Sequence, residues 1–177
     1  KLSNNTWNYY QTLQAFDAGS YDYFGKSIDI HNNTIAIGSY YDDDVNNNSG
    51  AVYIYKLENE NFNFTQKLVS NDAYANDNFG LSVSIYDNCL AVGSMDDDNG
   101  INSGSAYIFG IENDLYIQKS KISSSDGYNF DEFSNSLCIY DNLSINYIKV
   151  YGIQGHNPPG INCVGISNTR YDDYVIS

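Results

Sequence analysis

Residues Asp77–Ser94 read "DNFGLSVSIYDNCLAVGS", and residues Asp22–Ser39 read "DYFGKSIDIHNNTIAIGS". The two stretches align without a gap, with Phe79 lying 55 residues beyond Phe24. A third copy, "DEFSNSLCIYDNLSI" at Asp131–Ile145, places Phe133 another 54 residues on. Asp17, Asp72 and Asp126 each stand five residues before Asp22, Asp77 and Asp131. Compositional bias alone would not keep that spacing. Self-similarity at a fixed period marks a chain built from repeated supersecondary units.

Inside each copy the apolar residues alternate, as a β-strand requires. Phe79, Leu81, Val83 and Ile85 share one face. Phe24, Lys26, Ile28 and Ile30 match them in the first copy, and Phe133, Asn135, Leu137 and Ile139 in the third. Asn32-Asn33, Asp87-Asn88 and Asp141-Asn142 stand where a two-residue hairpin turn belongs, since Asn and Asp tolerate left-handed φ. "TIAIGS" and "LAVGS" are apolar on both faces and read as central, buried strands. "GAVYIYKL" and "GSAYIFGI" make a third strand. "FNFTQKLVS" makes a fourth, with "TWNYYQTLQ" and "LYIQKSKIS" as its counterparts.

Four short antiparallel strands per repeat of about 54 residues fit a β-propeller blade. The expected fold class is therefore all-β. Residues 1–145 hold about three repeats (7–61, 62–115 and a partial 116–145), followed by a divergent tail at 146–177. Three repeats cannot close a ring of about four to eight blades. The expectation is an incomplete or open propeller: a piece of a longer chain, or a unit whose ring other chains complete. A start at Lys1 without Met or leader favours the first.

The chain of 177 residues carries a net charge of −14, which excludes the basic patch needed for nucleic acid. The same charge disfavours anionic membrane surfaces. No run of about 20 apolar residues is present to span a bilayer. Cys89, Cys138 and Cys163 form no CxxC pair and are expected as buried free thiols. No catalytic set emerges: His31 is matched by Tyr86 and Tyr140 in the other copies, His156 lies in the tail, and there is no GxSxG elbow.

Taken in order, "FGKSIDI…IAIGS…NSGAVYIY" and "FGLSVSI…LAVGS…NSGSAYIF" resemble the FG-GAP repeat. The variety in question has an aromatic strand, then "D.FG", "VGA", an acidic "DDD" loop and "SG.aYvF". The resemblance covers about Trp7–Ile145. Its motif positions here are Asp22, Phe24, Gly25, Gly38, Asp77, Phe79, Gly80, Gly93, Asp131 and Phe133, while Ser134 replaces the motif glycine of the third copy. It implies a propeller like the integrin α-subunit head, extracellular or on the cell surface. The implied role is a non-enzymatic adhesion module binding a protein or glycan through blade loops. The rivals are an assembly unit closing a ring with other chains, and a non-catalytic part of a larger enzyme. Sequons at Asn4, Asn32, Asn47, Asn63 and Asn142 are compatible with secretion.

Candidate sites follow from chemistry. Asp42, Asp44, Asn46 and Asn48 alternate in "YDDDVNNNSG", as do Asp96, Asp98 and Asn102 in "MDDDNGINSG", where Gly100 adds a carbonyl. Alternate oxygen donors suit Ca²⁺. However, the position of a bidentate Glu falls on Tyr53 and Tyr107. The preferred expectation is a solvated connection with Asx turns. The paired aspartates Asp17/Asp22, Asp72/Asp77 and Asp126/Asp131 could supply further cation ligands, and are preferred as acceptors of backbone N–H groups at the turn into the "FG" strand. Gly25 and Gly80 are expected to permit close approach near the axis. Trp7, Tyr9, Tyr10, Phe62, Phe64 and Tyr116 could stack on sugars, and are preferred as inter-blade packing.

Overall fold

The alternating pattern pairs His31 with Thr34 and Tyr86 with Cys89, so Asn32-Asn33 and Asp87-Asn88 form the two-residue connections. Asn32 and Asp87 take φ of +51° and +50°. The computed structural model describes residues 6–95, 103–123 and 133–139 in full, together with the backbone of the strands Leu2–Ser3, Tyr147–Ile153, Ile161–Ser167 and Tyr174–Ile176.

A short hairpin, β1 (Leu2–Ser3) and β2 (Thr6–Trp7), comes first. Blade 1 is the antiparallel meander β3 (Ser27–His31), β4 (Thr34–Ser39), β5 (Ala51–Glu58) and β6 (Asn61–Leu68). Blade 2 repeats it with β7 (Ser82–Tyr86), β8 (Cys89–Ser94), β9 (Ser105–Glu112) and β10 (Leu115–Ser123). A third sheet runs β11 (Ser136–Ile139), β12 (Tyr147–Ile153), β13 (Ile161–Ser167) and β14 (Tyr174–Ile176). The backbone of the tail thus forms strands in the same meander order. Ile139 pairs with Ile148, and the turn expected at Asp141-Asn142 lies outside the described residues.

Blade 1 lays Ala36, Val52, Ile54 and Leu68 against Phe79, Val83, Ile85, Leu90, Val92, Tyr107, Phe109 and Tyr116 of blade 2. The innermost strands β3, β7 and β11 lie against one another in turn. Polar contacts repeat with the blades. Ser27 Oγ donates to the Gly80 carbonyl at 2.7 Å, and Ser82 Oγ donates to the Ser134 carbonyl at 2.7 Å. Likewise Ile85 N–H donates to Asp29 at 2.8 Å, and Ile139 N–H to Ser84 Oγ at 3.0 Å. Among the described residues the blades do not close into a ring.

Gly80, at φ +91°, lies so near blade 1 that a Cβ there would stand 2.5 Å from the Ala51 carbonyl oxygen. Close approach holds for Gly80 but not for Gly25, around which no atom lies within 4 Å of such a Cβ. Ser134 keeps the left-handed conformation at φ +75° and is fully buried, with its hydroxyl donating to the Ser105 carbonyl. The apolar face that the copies share is buried only where a blade covers it: Val83 and Ile85 are, whereas Ile28 and Ile30 are exposed. Cys89 is half-buried and Cys138 exposed, so the expectation of buried thiols fails for Cys138.

Candidate functional site

Tyr53 of β5 and Lys67 of β6 are direct cross-strand partners, so their side chains rise from the same face of blade 1. A bulge that leaves Thr65 unpaired in β6 sets this phase, and Lys119 forms the same bulge in β10. The acidic loop after β4 brings Asp42 and Asp44 to this pair, and the segment before β3 brings Asp17. The Tyr53 hydroxyl bridges Asp17 at 2.6 Å and Asp42 at 2.7 Å. The Lys67 ammonium lies 2.8 Å from Asp17, 2.9 Å from Asp42, and in contact with Asp44. It also sits 5.1 Å from the centre of the Tyr53 ring. The Asp42 side chain is 3% exposed, Lys67 14% and Asp44 56%, so the Asp42 and Asp17 contacts carry most of the energy.

Blade 2 repeats the core of this cluster. Tyr107 pairs across strands with Lys121, the Tyr107 hydroxyl donates to Asp72 at 2.8 Å, and Lys121 lies 2.7 Å from Asp72. Lys121 stands 5.2 Å from the centre of the Tyr107 ring. Two of only eight basic residues occupy this one repeat position. That recurrence was the available signal for a site that aspartate spacing alone does not reveal.

Electrostatics follow from the contacts. Burial would raise the Asp17 carboxyl, but hydrogen bonds from Lys67 and Tyr53 outweigh it and hold it below the usual range. Asp72 is lowered in the same way by Lys121 and Tyr107, against its burial. Burial opposes the charge on Lys67, yet its three carboxylate partners raise it above an ordinary lysine. Burial and then the two aspartates push Tyr53 upward. The pH dependence has two limbs. The depressed aspartates contribute stability above about pH 4 that is lost as pH falls through their folded values. Lys67 and Tyr53 contribute stability that is complete below about pH 10 and lost as pH rises through their folded values. Melting temperatures followed across pH should fall on both limbs, and Tyr53→Phe should flatten the alkaline one.

One oxygen from each of Asp17, Asp42 and Asp44 lies within 4.8 Å of the others, a spacing that could hold a metal ion such as calcium. The lysine ammonium already touches all three. A divalent ion about 4 Å from it would meet a repulsion of roughly 8 kcal/mol at an effective dielectric of 20. Binding therefore requires Lys67 to leave.

The remaining candidates are placed elsewhere. Asn46 donates to the Ala73 carbonyl at 3.0 Å and Asn48 to Asn76 at 3.1 Å, so both tie the acidic loop to the next blade. Asp96, Asp98, Gly100, Asn102, Asp126 and Asp131 lie outside the described residues. Asp22 and Asp77 accept backbone N–H groups from Gly19 at 2.6 Å and Tyr74 at 2.5 Å, as expected. Asp17 and Asp72 instead bind the tyrosine and lysine. Phe24 and Phe79 pack edge-on to Tyr53 and Tyr107, with ring centres 5.4 and 5.3 Å apart. Ser39 and Ser94, after Gly38 and Gly93, donate to the Asp22 and Asp77 carbonyls at 2.9 and 2.7 Å. Tyr116 is buried between blades and its hydroxyl is pushed up to about 12, chiefly by that burial. Phe62 and Phe64 pack on blade 1, while Trp7 and Tyr9 are exposed.

The model of the FG-GAP repeat matches residues 7–55 and 62–109, more than half of the chain. The chain belongs to the FG-GAP repeat family. No curated protein matches it. The two FG-GAP matches span the first two blades up to their third strands. The Asp-Tyr-Lys cluster joins each match to the outer strand that follows.

Aromatic side chains that the sequence did not single out gather at the loop end of the FG-GAP blades. Tyr23 lies 5.4 Å from both Tyr40 and Tyr41, whose own rings are 4.2 Å apart. Tyr21 and Tyr23 hold left-handed φ of +75° and +55°. Blade 2 puts Asn76 and Asn78 at the same positions, at +70° and +57°. Asn accepts that conformation; a bulky side chain there is strained.

Proposed function

We propose that the chain is a non-enzymatic binding module of an extracellular or cell-surface FG-GAP propeller. It takes a protein or glycan partner on the loop end of the blades. The observation that carries this reading is the tyrosine cluster. Tyr21 is 81% exposed, next in the chain to the Tyr23/Tyr40/Tyr41 group. Tyrosine offers broad, amphipathic contact area at low entropic cost, and adjacent Asn and Ser residues supply adaptable hydrogen bonds. Strained backbone of about 1–3 kcal/mol per residue persists where surrounding structure holds it, commonly at ligand sites. The opposite end consists of tight turns at Asn32-Asn33, Asn59-Glu60, Asp87-Asn88 and Asn113-Asp114, which leave little surface to vary.

In this reading the Asp17/Asp42/Asp44/Lys67 cluster supports the loops, with the ammonium in the role a calcium ion would fill. Asp42 anchors the start of the loop through Tyr53, and Asn46 and Asn48 fix its far side. The binding face is then held by the fold itself.

The test uses residues that blade 2 already tolerates. Tyr21→Asn with Tyr23→Asn should leave the melting temperature unchanged or slightly raised, because asparagine accepts the left-handed φ. Binding to immobilised glycans and cell-surface ectodomains, measured by surface plasmon resonance, should be detectable for the wild type and about tenfold weaker or more for the variant. A wild type that binds none of these, or a variant that binds equally well, contradicts the proposal.

A further inference from the structure

Blades 1 and 2 are copies, yet equivalent positions differ sharply in exposure. Val83 and Ile85 of β7 are 9% and 4% exposed, whereas Ile28 and Ile30 of β3 are 61% and 55%. The difference is what packs on them. Blade 2 is covered by Ala36, Val52, Ile54 and Leu68 of blade 1. Among the described residues, the corresponding face of blade 1 carries only the leading segment, in which Leu13 and Ala15 pack near Ile37, Tyr53 and Tyr55. Leu13 is the repeat equivalent of Leu68. The space around Gly25 is open where that around Gly80 is filled by the Ala51 carbonyl.

The leading segment identifies what belongs there. "KLSNNTWNYYQ" at Lys1–Gln11 matches "KLENENFNFTQ" at Lys56–Gln66. β1 pairs with β2 through Leu2↔Trp7 and Ser3↔Thr6, the register of Leu57↔Phe62 and Glu58↔Asn61 in blade 1. Gln11 donates to the Phe62 carbonyl and accepts from the Phe62 N–H, both at 2.9 Å. Gln66 makes the same two-point contact with Tyr116, also at 2.9 Å. The segment from Trp7 to Leu13 therefore sits against blade 1 as β6 sits against blade 2.

We propose that Leu2–Trp7 closes the outer hairpin of a further FG-GAP blade, and that the exposed face of blade 1 is the docking surface for that blade. The occupant is a three-stranded antiparallel sheet whose third strand ends in Leu2–Ser3. It presents small and aliphatic residues where blade 1 presents Ala36, Val52 and Ile54, and it covers Phe24, Ile28, Ile30 and Ile35. Trp7–Leu13 becomes its fourth strand. The continuity of register with the blade 1–blade 2 interface selects this occupant over an unrelated protein. The inference stands independently of the proposed ligand site.

The test lengthens the full chain by repeating Asp22–Tyr55 ahead of Lys1, so that Lys1 takes the place of Lys56. The melting temperature should rise by about 4 °C or more. Backbone amides of residues 8–13 should gain about tenfold or greater protection from hydrogen exchange. Ile28→Ser with Ile30→Ser, at their present positions, should shift the unlengthened chain by less than about 2 °C but abolish both gains in the lengthened one. Unchanged melting and exchange on lengthening, or gains that survive those two substitutions, would overturn the proposal.

Discussion

Replacing Lys67 by methionine is expected to cost about 3 kcal/mol or more of folding stability, because among the described residues it strips the only ammonium on Asp17 and Asp42 and leaves Asp42 buried with its charge. Methionine keeps the length and apolar stem of the lysine, so the loss reports charge rather than volume. Asp44, being mostly exposed, contributes little of it. Adding Asp42→Asn to Lys67→Met should recover part of the loss, since an amide can still meet the Tyr53 hydroxyl without burying a charge. Urea unfolding of the four proteins in that double-mutant cycle measures the coupling. Losses that simply add would show that the two residues do not form one unit.

A comparable effect is expected at Gly50, for a different reason. It adopts φ +84°, and an added Cβ would stand 2.1 Å from the Phe79 carbonyl oxygen and 2.6 Å from its nitrogen. Both obstacles are backbone, and the Phe79 N–H is committed to the Ser49 carbonyl at 3.0 Å. Gly50→Ala should therefore cost about 3 kcal/mol or more by driving the blades apart, beyond the left-handed strain of about 1–2 kcal/mol. Gly25→Ala, with the same handedness but open space around it, should cost only that strain. Chemical denaturation distinguishes them, and equal losses would mean that the clash relaxes freely.

Much of this fold is legible in the chain because its determinants are local. Alternation and the paired turn residues depend on neighbours a few positions apart, and their recurrence every 54–55 residues locates the strands of blades 1 and 2. Burial along the strands is set non-locally: the same alternation is buried in β7 and exposed in β3, according to what lies alongside.

The candidate site is less legible. Aspartates alternating along "DDDVNNN" suggested one set of oxygens, yet Asp42 and Asp44 turn to Lys67 while Asn46 and Asn48 turn to the next blade. Asp17 and Lys67 lie 25 and 19 residues from the two ends of that run, and only the sheet brings them to it. The tyrosines at 21 and 23 announce themselves only when compared with Asn76 and Asn78, where the repeat uses the residue suited to the backbone.

Lys67 completes the acidic centre behind the loops of blade 1 without a metal ion. Melting temperatures of the wild type and Lys67→Met, each in millimolar calcium and in chelator, test it directly. The wild type should melt at one temperature in both conditions, because the ammonium holds the carboxylates. Lys67→Met should melt lower, and calcium should raise it, since ligand binding to the native state adds stability by mass action. A wild type stabilised by several degrees in calcium would contradict the claim.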